Sequence, residues 1–279
     1  MLRVGSPIEV TYNTLFEKVK EVNKSTAMKS PKWKDSKLNI LIPMAGLGDR
    51  FKQSGYTTIK PLISIFNKPM IQWAVESLGI DGNFIFVVNT KNELHMELIH
   101  ILKTLKPECT IIETDYLTEG PASSCLLAKS YVDNEEPLLI TNCDQIMTWE
   151  INKFKEYVET FDGDGFVVTY DSNTTKNSYI RVDDSGVGVE LAEKKVISSL
   201  SLNGIHFWKK GKDFVYSAEK MIKMNKRVND EFYIAPTYNE LIAIGKIIRN
   251  YSIDKNHHWP VGTPEDLNTF VENYKLLEV

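Results

Sequence analysis

Between residues 38 and 144 the chain alternates short apolar runs with segments whose apolar side chains repeat at helical spacing. The apolar runs occupy residues 38–42, 61–65, 84–89, 110–114 and 138–141, and the helical segments occupy residues 69–78, 92–105 and 120–131. Continuous apolar runs are typical of parallel strands that are buried on both faces. Their alternation with helices predicts a doubly wound α/β fold, in which ligands bind beyond the carboxyl ends of the strands.

After residue 150 the pattern changes, because the β-rich runs become shorter and closer together. These runs cover residues 165–171, 178–182, 187–192, 201–208 and 247–253, and helices are predicted at about 150–161, 213–223, 234–243 and 264–277. No internal repeat or low-complexity tract divides the chain. We therefore expect the second half to extend the same sheet, within one domain that covers residues 37–279.

Residues 1–36 differ from this domain in composition. They carry seven Lys or Arg against four Asp or Glu, and their last third is polar and rich in lysine. We interpret them as an N-terminal extension or linker that is packed on the domain or partly disordered. The alternative is a contact with a partner or within an oligomer.

Composition limits the function classes. The chain has 279 residues, a net charge of −4 and three cysteines, Cys109, Cys125 and Cys143. The net negative charge disfavours a general nucleic-acid binder, although a local basic pocket for a small anion remains compatible with it. An odd, low cysteine count favours neither a disulfide scaffold nor a zinc site. Without a long apolar run or a signal-peptide pattern, we expect a cytoplasmic protein.

A glycine-rich segment, Pro-Met-Ala-Gly-Leu-Gly at 43–48, follows the first predicted strand. Arg50 and Lys60 come after it, and glycines that allow close backbone approach together with basic side chains suit a phosphate ligand. However, the spacing is neither that of a P-loop nor that of a dinucleotide fingerprint, since Phe51 stands where the third glycine would be. These residues alone leave a phosphate loop and an ordinary strand-to-helix turn equally open.

Other segments could carry chemistry or could be structural. Asp144 directly follows a buried strand, where a carboxylate could hold Mg²⁺ bound to phosphates or could cap the next helix. Glu119-Gly120 opens a helix, and Glu193-Lys194 lies between two strands, where an exposed charged turn is the alternative. The polar and aromatic residues 229–233 precede another helix. The adjacent histidines at 257 and 258 would point to opposite faces of a strand, so we do not expect them to share a metal ion.

Together these segments resemble the nucleotidyltransferase family that makes nucleotide-activated sugars and related head groups, which includes glucose-1-phosphate thymidylyltransferase and capsule-type nucleotidyltransferases. The matching segments are LIPMAGLGDRF at 41–51, IKPLI at 59–63, KPMIQW at 68–73, TEGPAS at 118–123, LLITNCDQ at 138–145, EK at 193–194, NGIHFWKKG at 203–211, NDEFYIAPTYNELI at 229–242 and VGTPEDL at 261–267. No single segment is diagnostic, but their order and spacing are specific.

The resemblance implies a three-layer α/β/α, Rossmann-like nucleotidyltransferase fold, with a mostly parallel mixed central sheet and a small β-rich substrate-binding extension. It also implies a nucleotidylyltransferase activity with Mg²⁺ as cofactor. The phosphate of a phosphorylated substrate, most simply a sugar 1-phosphate, would attack the α-phosphate of a nucleoside triphosphate, and pyrophosphate would leave. Such catalysis depends on positioning and charge neutralisation and needs no nucleophilic side chain.

The resemblance also assigns residues to roles. The catalytic residues would be Arg50 on the leaving phosphates, Lys60 beside the α-phosphate and Asp144 as the Mg²⁺ ligand. Nucleotide binding would fall to Met44, Ala45, Gly46, Leu47, Gly48, Glu119, Gly120 and Asn142. Glu193 and Lys194 would hold the second substrate and its phosphate, and Asn203, Gly204, Glu231 and Tyr233 would complete that side of the site.

Two positions depart from the family pattern. Asp49 stands where the commonest loop has Ser or Thr, and an acid beside phosphates is costly unless it points away, for example to cap the next helix. Pro260 occupies the place of a second metal-binding Asp that many relatives carry, which leaves Asp254 as the candidate for a second ligand. This departure favours the capsule-type branch, whose members also activate phosphorylated amines or amino acids.

Several functions remain open at this point. The leading one is a nucleotidylyltransferase for capsule or other glycan synthesis, with an NTP and a phosphorylated small molecule as its binding partners. A homo-oligomer is a candidate assembly, and we expect neither nucleic acid nor a membrane as a partner. A cytidylyltransferase for a phosphocholine-like or phosphoamino-acid-like substrate is a close alternative. A nucleotide-sugar glycosyltransferase is disfavoured by Arg50 and Lys60. A non-catalytic nucleotide- or sugar-binding regulator would account for Asp49 and Pro260.

Overall fold

The structure, a computed structural model, describes residues 35–46 and 48–276. The predicted extension therefore lies almost wholly outside the described residues, and so does Leu47 of the glycine-rich segment. Within the described part of the chain, no helix has both the length and the apolar character that crossing a membrane requires.

Thirteen strands are formed by the described residues. They are β1 (Asn39–Pro43), β2 (Ser64–Ile65), β3 (Lys68–Pro69), β4 (Asn83–Asn89), β5 (Thr110–Thr114), β6 (Leu138–Ile140), β7 (Gln145–Met147), β8 (Gly165–Asp171), β9 (Ser178–Val182), β10 (Gly188–Glu193), β11 (Leu200–Trp208), β12 (Ile248–Ser252) and β13 (His258–Pro260).

The helices alternate with these strands. They are α1 (Asp49–Gln53), α2 (Met70–Leu78), α3 (His95–Leu105), α4 (Pro121–Leu126), α5 (Lys129–Val132), α6 (Ile151–Thr160), α7 (Gly211–Lys223), α8 (Thr237–Ile242) and α9 (Pro264–Leu276), with 3₁₀ turns at Asp35–Lys37, Lys60–Leu62 and Lys255–His257.

Nine of the strands form one mixed sheet. Strands β5, β4, β1 and β6 lie side by side and parallel. Strand β11 then pairs antiparallel with β6 and β8, β12 is parallel to β8, and the hairpin of β9 and β10 joins β11 through β9. The strands after residue 150 therefore extend the first sheet, as the sequence predicted.

Helices cover both faces of this sheet because successive side chains of a strand point to opposite faces. In β1, Ile40 and Ile42 belong to a core cluster with residues of α2, α3 and α6. The intervening Leu41 belongs to a second cluster with residues of α4, α5, α7 and α8. All three side chains are fully buried. This confirms the predicted three-layer α/β/α architecture.

A smaller sheet positions the edge of the site. Strands β7 and β13 pair antiparallel, and the Val261 N–H donates to the Asp144 carbonyl at 2.9 Å. Helix α9 packs over this pair in a third core cluster that includes Trp73, Phe270 and Tyr274. The segment that follows β13 is thereby held against the carboxyl end of β6.

Most predicted elements are present with shifted ends, but three predictions need correction. The helix expected at 120–131 is broken into α4 and α5, because the chain leaves helical hydrogen bonding near Leu127 and Ala128. The β-rich run at 61–65 begins as a 3₁₀ turn that contains Pro61 and reaches strand geometry only in β2. Strands β7 and β13 were not predicted, since three residues carry too little periodicity for sequence-based recognition.

Candidate active site

The glycine-rich segment lines a small cavity at the carboxyl end of β1. Gly48 has φ +67°, a left-handed conformation that glycine adopts without strain, and a Cβ there would lie 3.3 Å from the Cβ of Lys60. The cavity has a volume of about 200 Å³. Its lining consists of Pro43, Met44, Gly46, Gly48, Lys60, Pro61, Asn142, Cys143 and Asp144.

Lys60 and Asp144 form an ion pair inside this cavity. Each side chain is 22% exposed, so most of the pair is removed from water. Burial raises the pKa of the Asp144 carboxyl, but the charge and hydrogen bond of Lys60 outweigh it and hold that pKa below its ordinary value. Burial also lowers the pKa of Lys60, but the charge and hydrogen bond of Asp144 outweigh the effect of burial. The pKa of Lys60 therefore lies above its ordinary value. Both groups are therefore charged at neutral pH.

The chain after β13 closes tightly over this pair. A Cβ on Gly262 would lie 2.5 Å from Oδ2 of Asp144 and 3.5 Å from Nζ of Lys60. His258 of β13 is 9% exposed, and its ring lies 5.0 Å from that of Tyr170. Burial lowers the pKa of His258 to about 4, although Asp144 acts in the opposite direction. This histidine is therefore neutral at physiological pH.

A larger cavity of about 520 Å³ adjoins the first. It is lined by Arg50, Pro121, Asn142, Asp144, Gln145, Tyr170, Thr174, Lys176, Asn177, Ser178, Glu193, Leu202, Asn203, Gly204, His206, Tyr233, Ile234, Ala235, His258, Pro260, Gly262, Thr263 and Asp266. Asn142 and Asp144 line both cavities. The residues that follow β6 therefore form a wall that the two cavities share.

The predicted residues Asn203 and Gly204 form the floor of the larger cavity. Pairing of β11 with β8 shifts register between Leu202 and His206, so these two residues lie in a bulge. Gly204 has φ +96°, and a Cβ there would lie 2.1 Å from Nδ2 of Asn142. Oδ1 of Asn203 accepts a hydrogen bond from the backbone N–H two residues later, at 2.9 Å, which fixes the bulge.

Glu193 also lines the larger cavity. Its carboxylate accepts a hydrogen bond from the Ser178 hydroxyl. Burial raises the pKa of Glu193 above its ordinary value, partly opposed by that hydrogen bond. Lys194 donates to the hydroxyl of Tyr233 and lies 4.5 Å from the centre of its ring. Burial, followed by a hydrogen bond to the exposed Glu231, raises the pKa of Tyr233.

Three of the residues predicted to bind the nucleotide have close contacts within the protein or are buried. Gly120 has φ +124°, and a Cβ there would lie 2.6 Å from the backbone nitrogen of Phe232, so its small size admits that backbone. The Glu119 carboxylate pairs with Arg227 at 2.7 Å. Ala45 is buried. Glu119, Gly120 and Ala45 are not among the described residues that line the two cavities.

The two departures from the family pattern can also be placed. Asp49 is the first residue of α1, is exposed and does not serve as its N-cap, which is Gly48. The expectation that Asp49 caps this helix is therefore wrong. Asp254 is exposed, and its carboxylate accepts from the backbone N–H of Asn256 at 2.8 Å. Asp254 is not among the described residues that line the two cavities.

Sequence reasoning missed several cavity residues. Tyr170 and Lys176 come from a strand end and a turn that carry no recognised motif, and Asp266 lies within the matched segment at 261–267 but was given no role. Gln145 and His206 lie within matched segments. Their closeness in sequence to Asp144 and Gly204 was the signal that could have identified them as site residues. The pairing of β7 with β13 and the bulge in β11 help to bring Gln145 and His206 to the larger cavity.

The side chains at this site could hold a magnesium ion only if substrate phosphates supplied further oxygen ligands. Among the residues that the structure describes, no group of three or more His, Cys, Asp or Glu side chains could hold a metal ion. Mg²⁺ is usually held by one or two carboxylates together with substrate phosphates and water. Asp144, at the junction of the two cavities, fits the part of a single carboxylate ligand.

Comparison with known proteins identifies the family. The sequence model of the MobA-like NTP transferase domain matches residues 40–198, more than half of the chain. The chain therefore belongs to the MobA-like NTP transferase family, which confirms the nucleotidyltransferase resemblance of its motifs.

Curated relatives are more distant. The mannose-1-phosphate guanyltransferase 2 of Candida glabrata is 25% identical over 240 residues, which make up 81% of this chain and 62% of that protein. The bifunctional protein GlmU of Methanocaldococcus jannaschii is 26% identical over 232 residues, 82% of this chain and 52% of that protein. The matched part of the chain thus spans less than two thirds of either relative.

Solved structures share the fold. The nucleoside-diphosphate-sugar pyrophosphorylase from Vibrio cholerae RC9 matches with a TM-score of 0.72 at 23% identity, over 84% of this chain and 99% of that chain. The inositol-1-phosphate CTP transferase from T. maritima matches with a TM-score of 0.68 at 15% identity, over 88% of this chain and 96% of that chain. These likenesses confirm the predicted Rossmann-like fold with its mixed sheet.

Proposed function

We propose that this protein transfers a nucleoside monophosphate from an NTP to a phosphorylated small molecule, a sugar 1-phosphate in the first place, with release of pyrophosphate. The observation that carries the proposal is the meeting of two cavities at Asn142 and Asp144, with the Lys60–Asp144 ion pair at the junction. A transfer between two bound substrates needs two spaces that share one wall. The product would be a nucleotide-activated sugar for glycan or capsule synthesis.

The glycine-lined cavity suits the phosphates of the nucleotide. Gly46 carries no side chain, and a Cβ there would meet nothing within 4 Å, so the loop leaves open space beside its backbone. Lys60 supplies a positive charge in the same cavity. Arg50 follows the loop and lines the larger cavity, where its guanidinium would hold the departing phosphates.

The larger cavity suits the second substrate. Its volume of about 520 Å³ lies within the range of small-molecule sites. Glu193, Ser178 and Tyr233 in its lining offer acceptors and donors of the kind that hydroxyl groups of a sugar require. The names of the relatives that act on mannose 1-phosphate and nucleoside-diphosphate sugars support the same substrate class.

The reaction follows from this arrangement. A phosphate oxygen of the second substrate forms a bond to the α-phosphorus of the NTP, and the bond from that phosphorus to the oxygen bridging to the β-phosphate breaks. Lys60 neutralises charge that grows on the α-phosphoryl oxygens, and the side-chain amide of Asn142 can donate a hydrogen bond to a phosphate oxygen at the shared wall. Mg²⁺, when bound by Asp144 and the phosphates, would supply further charge neutralisation.

The test is pyrophosphate release from a panel of substrates. Each of the four common NTPs is combined with several sugar 1-phosphates, phosphocholine and phosphorylated amino acids, with and without Mg²⁺. We expect release with at least one pair, and its loss in Asp144→Asn. Turnover of phosphocholine alone would instead identify a cytidylyltransferase of the non-sugar type.

Two further outcomes would contradict the proposal. Nucleotide binding without turnover, unchanged by Asp144→Ala, would favour a non-catalytic regulator. Acceptor-dependent release of a nucleoside diphosphate from a nucleotide sugar would favour a glycosyltransferase.

A further inference from the structure

Lys194 directly follows strand β10 and reaches the border of the larger cavity. In an extended strand its side chain would point to the face opposite that of Glu193, which lines this cavity. Lys194 instead has φ +53°, a left-handed conformation that is uncommon for a residue with a side chain. Its ammonium donates a hydrogen bond to the hydroxyl of Tyr233 and lies 4.5 Å from the centre of that ring. Tyr233 lines the same cavity as Glu193, so the ammonium is held at the cavity wall.

The backbone around Tyr233 is fixed by its neighbours. Phe232 and Ile234, on either side of it, are buried. The Phe232 N–H donates to the Glu119 carbonyl at 2.8 Å, and the Phe232 carbonyl accepts from the Ala122 N–H at 2.9 Å. Tyr233 is therefore a fixed point in the cavity wall, whereas a lysine side chain without a partner would keep much of its rotamer freedom.

The Tyr233 phenol can hold Lys194 without cancelling its charge. Burial, followed by a hydrogen bond to Glu231, raises the pKa of Tyr233, so its hydroxyl stays protonated at neutral pH. A phenol has one O–H group and an ionised carboxylate can only accept, so the O–H points to Glu231 and an oxygen lone pair faces Lys194. An acidic acceptor would neutralise the ammonium, but this uncharged acceptor does not.

The positive charge of Lys194 is not compensated by an ion pair. Within the described part of the chain, its ammonium is paired with no carboxylate and donates instead to the phenol of Tyr233. Burial raises the pKa of Glu193, and the Ser178 hydrogen bond and the charge of Lys194 oppose this rise. Burial and nearby carboxylates raise the pKa of Tyr233, and the charge of Arg50 opposes them. Two positive charges therefore act at this wall of the larger cavity, where an anionic group would be attracted.

We propose that Tyr233 is a positioning residue, whose uncharged hydroxyl holds the Lys194 ammonium ready for the phosphate of the second substrate. This inference rests on the proposed function and on the role that the family resemblance implies for Lys194. Because the lysine is already ordered, substrate binding loses less conformational entropy. An ammonium has three N–H groups, so it can donate to phosphate oxygens and keep its bond to Tyr233. With its hydroxyl engaged on both sides, Tyr233 acts through Lys194 and leaves the hydroxyl groups of the sugar to other lining residues.

The test is steady-state pyrophosphate release with the sugar 1-phosphate that the wild type uses best. Tyr233→Phe keeps the ring and removes the acceptor, so the KM for the sugar phosphate should rise about 10-fold while the KM for the NTP stays within about 2-fold. The same sugar without its phosphate, used as a competitive inhibitor, should bind the wild type and Tyr233→Phe with inhibition constants within about 2-fold of each other. A general distortion of the cavity would instead weaken both ligands.

A double variant tests whether Tyr233 acts through Lys194. Lys194→Met should raise the KM for the sugar phosphate about 100-fold, more than Tyr233→Phe does, because the charge itself is lost. Adding Tyr233→Phe to Lys194→Met should raise that KM by no more than about 2-fold further, because the hydroxyl then has no ammonium to hold.

Two variants serve as matched controls. Tyr157→Phe also removes a tyrosine hydroxyl, which donates to the Asn250 carbonyl at 2.9 Å, and Tyr157 is not among the described residues that line the two cavities of the site. Lys195→Met removes the exposed ammonium of the residue next to Lys194, which lines a separate cavity. Each control should leave both KM values within about 2-fold.

The inference is overturned if Tyr233→Phe leaves the KM for the sugar phosphate within about 2-fold, or if it lowers that KM, since the hydroxyl would then restrain the lysine away from the phosphate. It is also overturned if the free sugar loses as much affinity as the sugar phosphate, or if the effects of Tyr233→Phe and Lys194→Met multiply in the double variant. If the wild type releases no pyrophosphate with any pair, the proposed function itself fails and this assignment falls with it.

Discussion

Breaking the Lys60–Asp144 ion pair should reduce stability and turnover by different amounts. With each side chain 22% exposed, the pair is intermediate between a surface and a buried ion pair. Surface pairs contribute about 0–1 kcal/mol, and removing one partner of a buried pair costs about 3–5 kcal/mol. Lys60→Met and Asp144→Asn should each therefore lower the free energy of unfolding by about 2 kcal/mol.

Turnover should fall much further. Removing a charged group that stabilises a transferring phosphoryl group typically costs a factor of about 100–1,000, or about 3–4 kcal/mol in activation free energy. We expect kcat/KM of Lys60→Met to fall by about this factor. Urea unfolding gives the stability, and pyrophosphate release with saturating NTP gives the turnover.

The double variant separates the two effects. Lys60→Met combined with Asp144→Asn leaves no uncompensated charge, so its free energy of unfolding should return to within about 1 kcal/mol of the wild type. Its turnover should stay as low as that of the worse single variant. Unfolding penalties that simply add, or a Lys60→Met enzyme within about 3-fold of wild-type kcat/KM, would refute the reasoning.

Further predictions concern single residues. Gly262→Ala should reduce kcat at least about 10-fold with a smaller loss of stability, because its Cβ would lie 2.5 Å from Oδ2 of Asp144. Burial raises the pKa of Glu193, and the protonated carboxyl accepts fewer hydrogen bonds than the carboxylate. The KM for the second substrate should therefore rise as pH falls through that raised pKa. The pH profile of this KM should be flatter in Glu193→Gln. In urea unfolding, Gly120→Ala should lower the free energy of unfolding by about 2 kcal/mol more than Gly245→Ala does. Both glycines have positive φ, but only at Gly120 would a Cβ overlap backbone atoms, the nitrogen and oxygen of Phe232, at 2.6 and 2.7 Å. Equal losses for the two glycine variants would contradict this account.

The parallel half of the fold could be predicted from the sequence for a physical reason. Strands that are buried on both faces must be apolar along their buried length, and residues 84–88 meet that condition. The core confirms it, since Phe86 and Val87 are fully buried on opposite faces of the sheet. A one-residue change in register would still leave apolar side chains on both faces, which explains why strand ends were predicted less well than strand positions.

The glycine-rich segment illustrates where prediction stopped. Its glycines predicted close approach of a ligand to the backbone, and the structure shows that Gly46 and Gly48 line a cavity. At Gly120 the protein group that approaches most closely is the backbone of Phe232, and the role of Gly120 in nucleotide binding stays a prediction. A glycine predicts that another group approaches the backbone closely, but the surrounding sequence does not identify that group as protein or ligand.

The second half of the site depends on pairings that local sequence does not encode. Pro260 pairs with Gln145 across β13 and β7, so the segment that carries it is held against Asp144 by backbone geometry and by the cluster around Trp73. With proline at this place, the segment contributes a close-packed wall through Gly262 instead of a second carboxylate. The charge that Asp144 meets in this structure is accordingly that of Lys60. If Asp144 is the single carboxylate ligand, as we propose, a bound metal ion would take most of its remaining ligands from substrate phosphates and water, and its binding would depend on bound nucleotide.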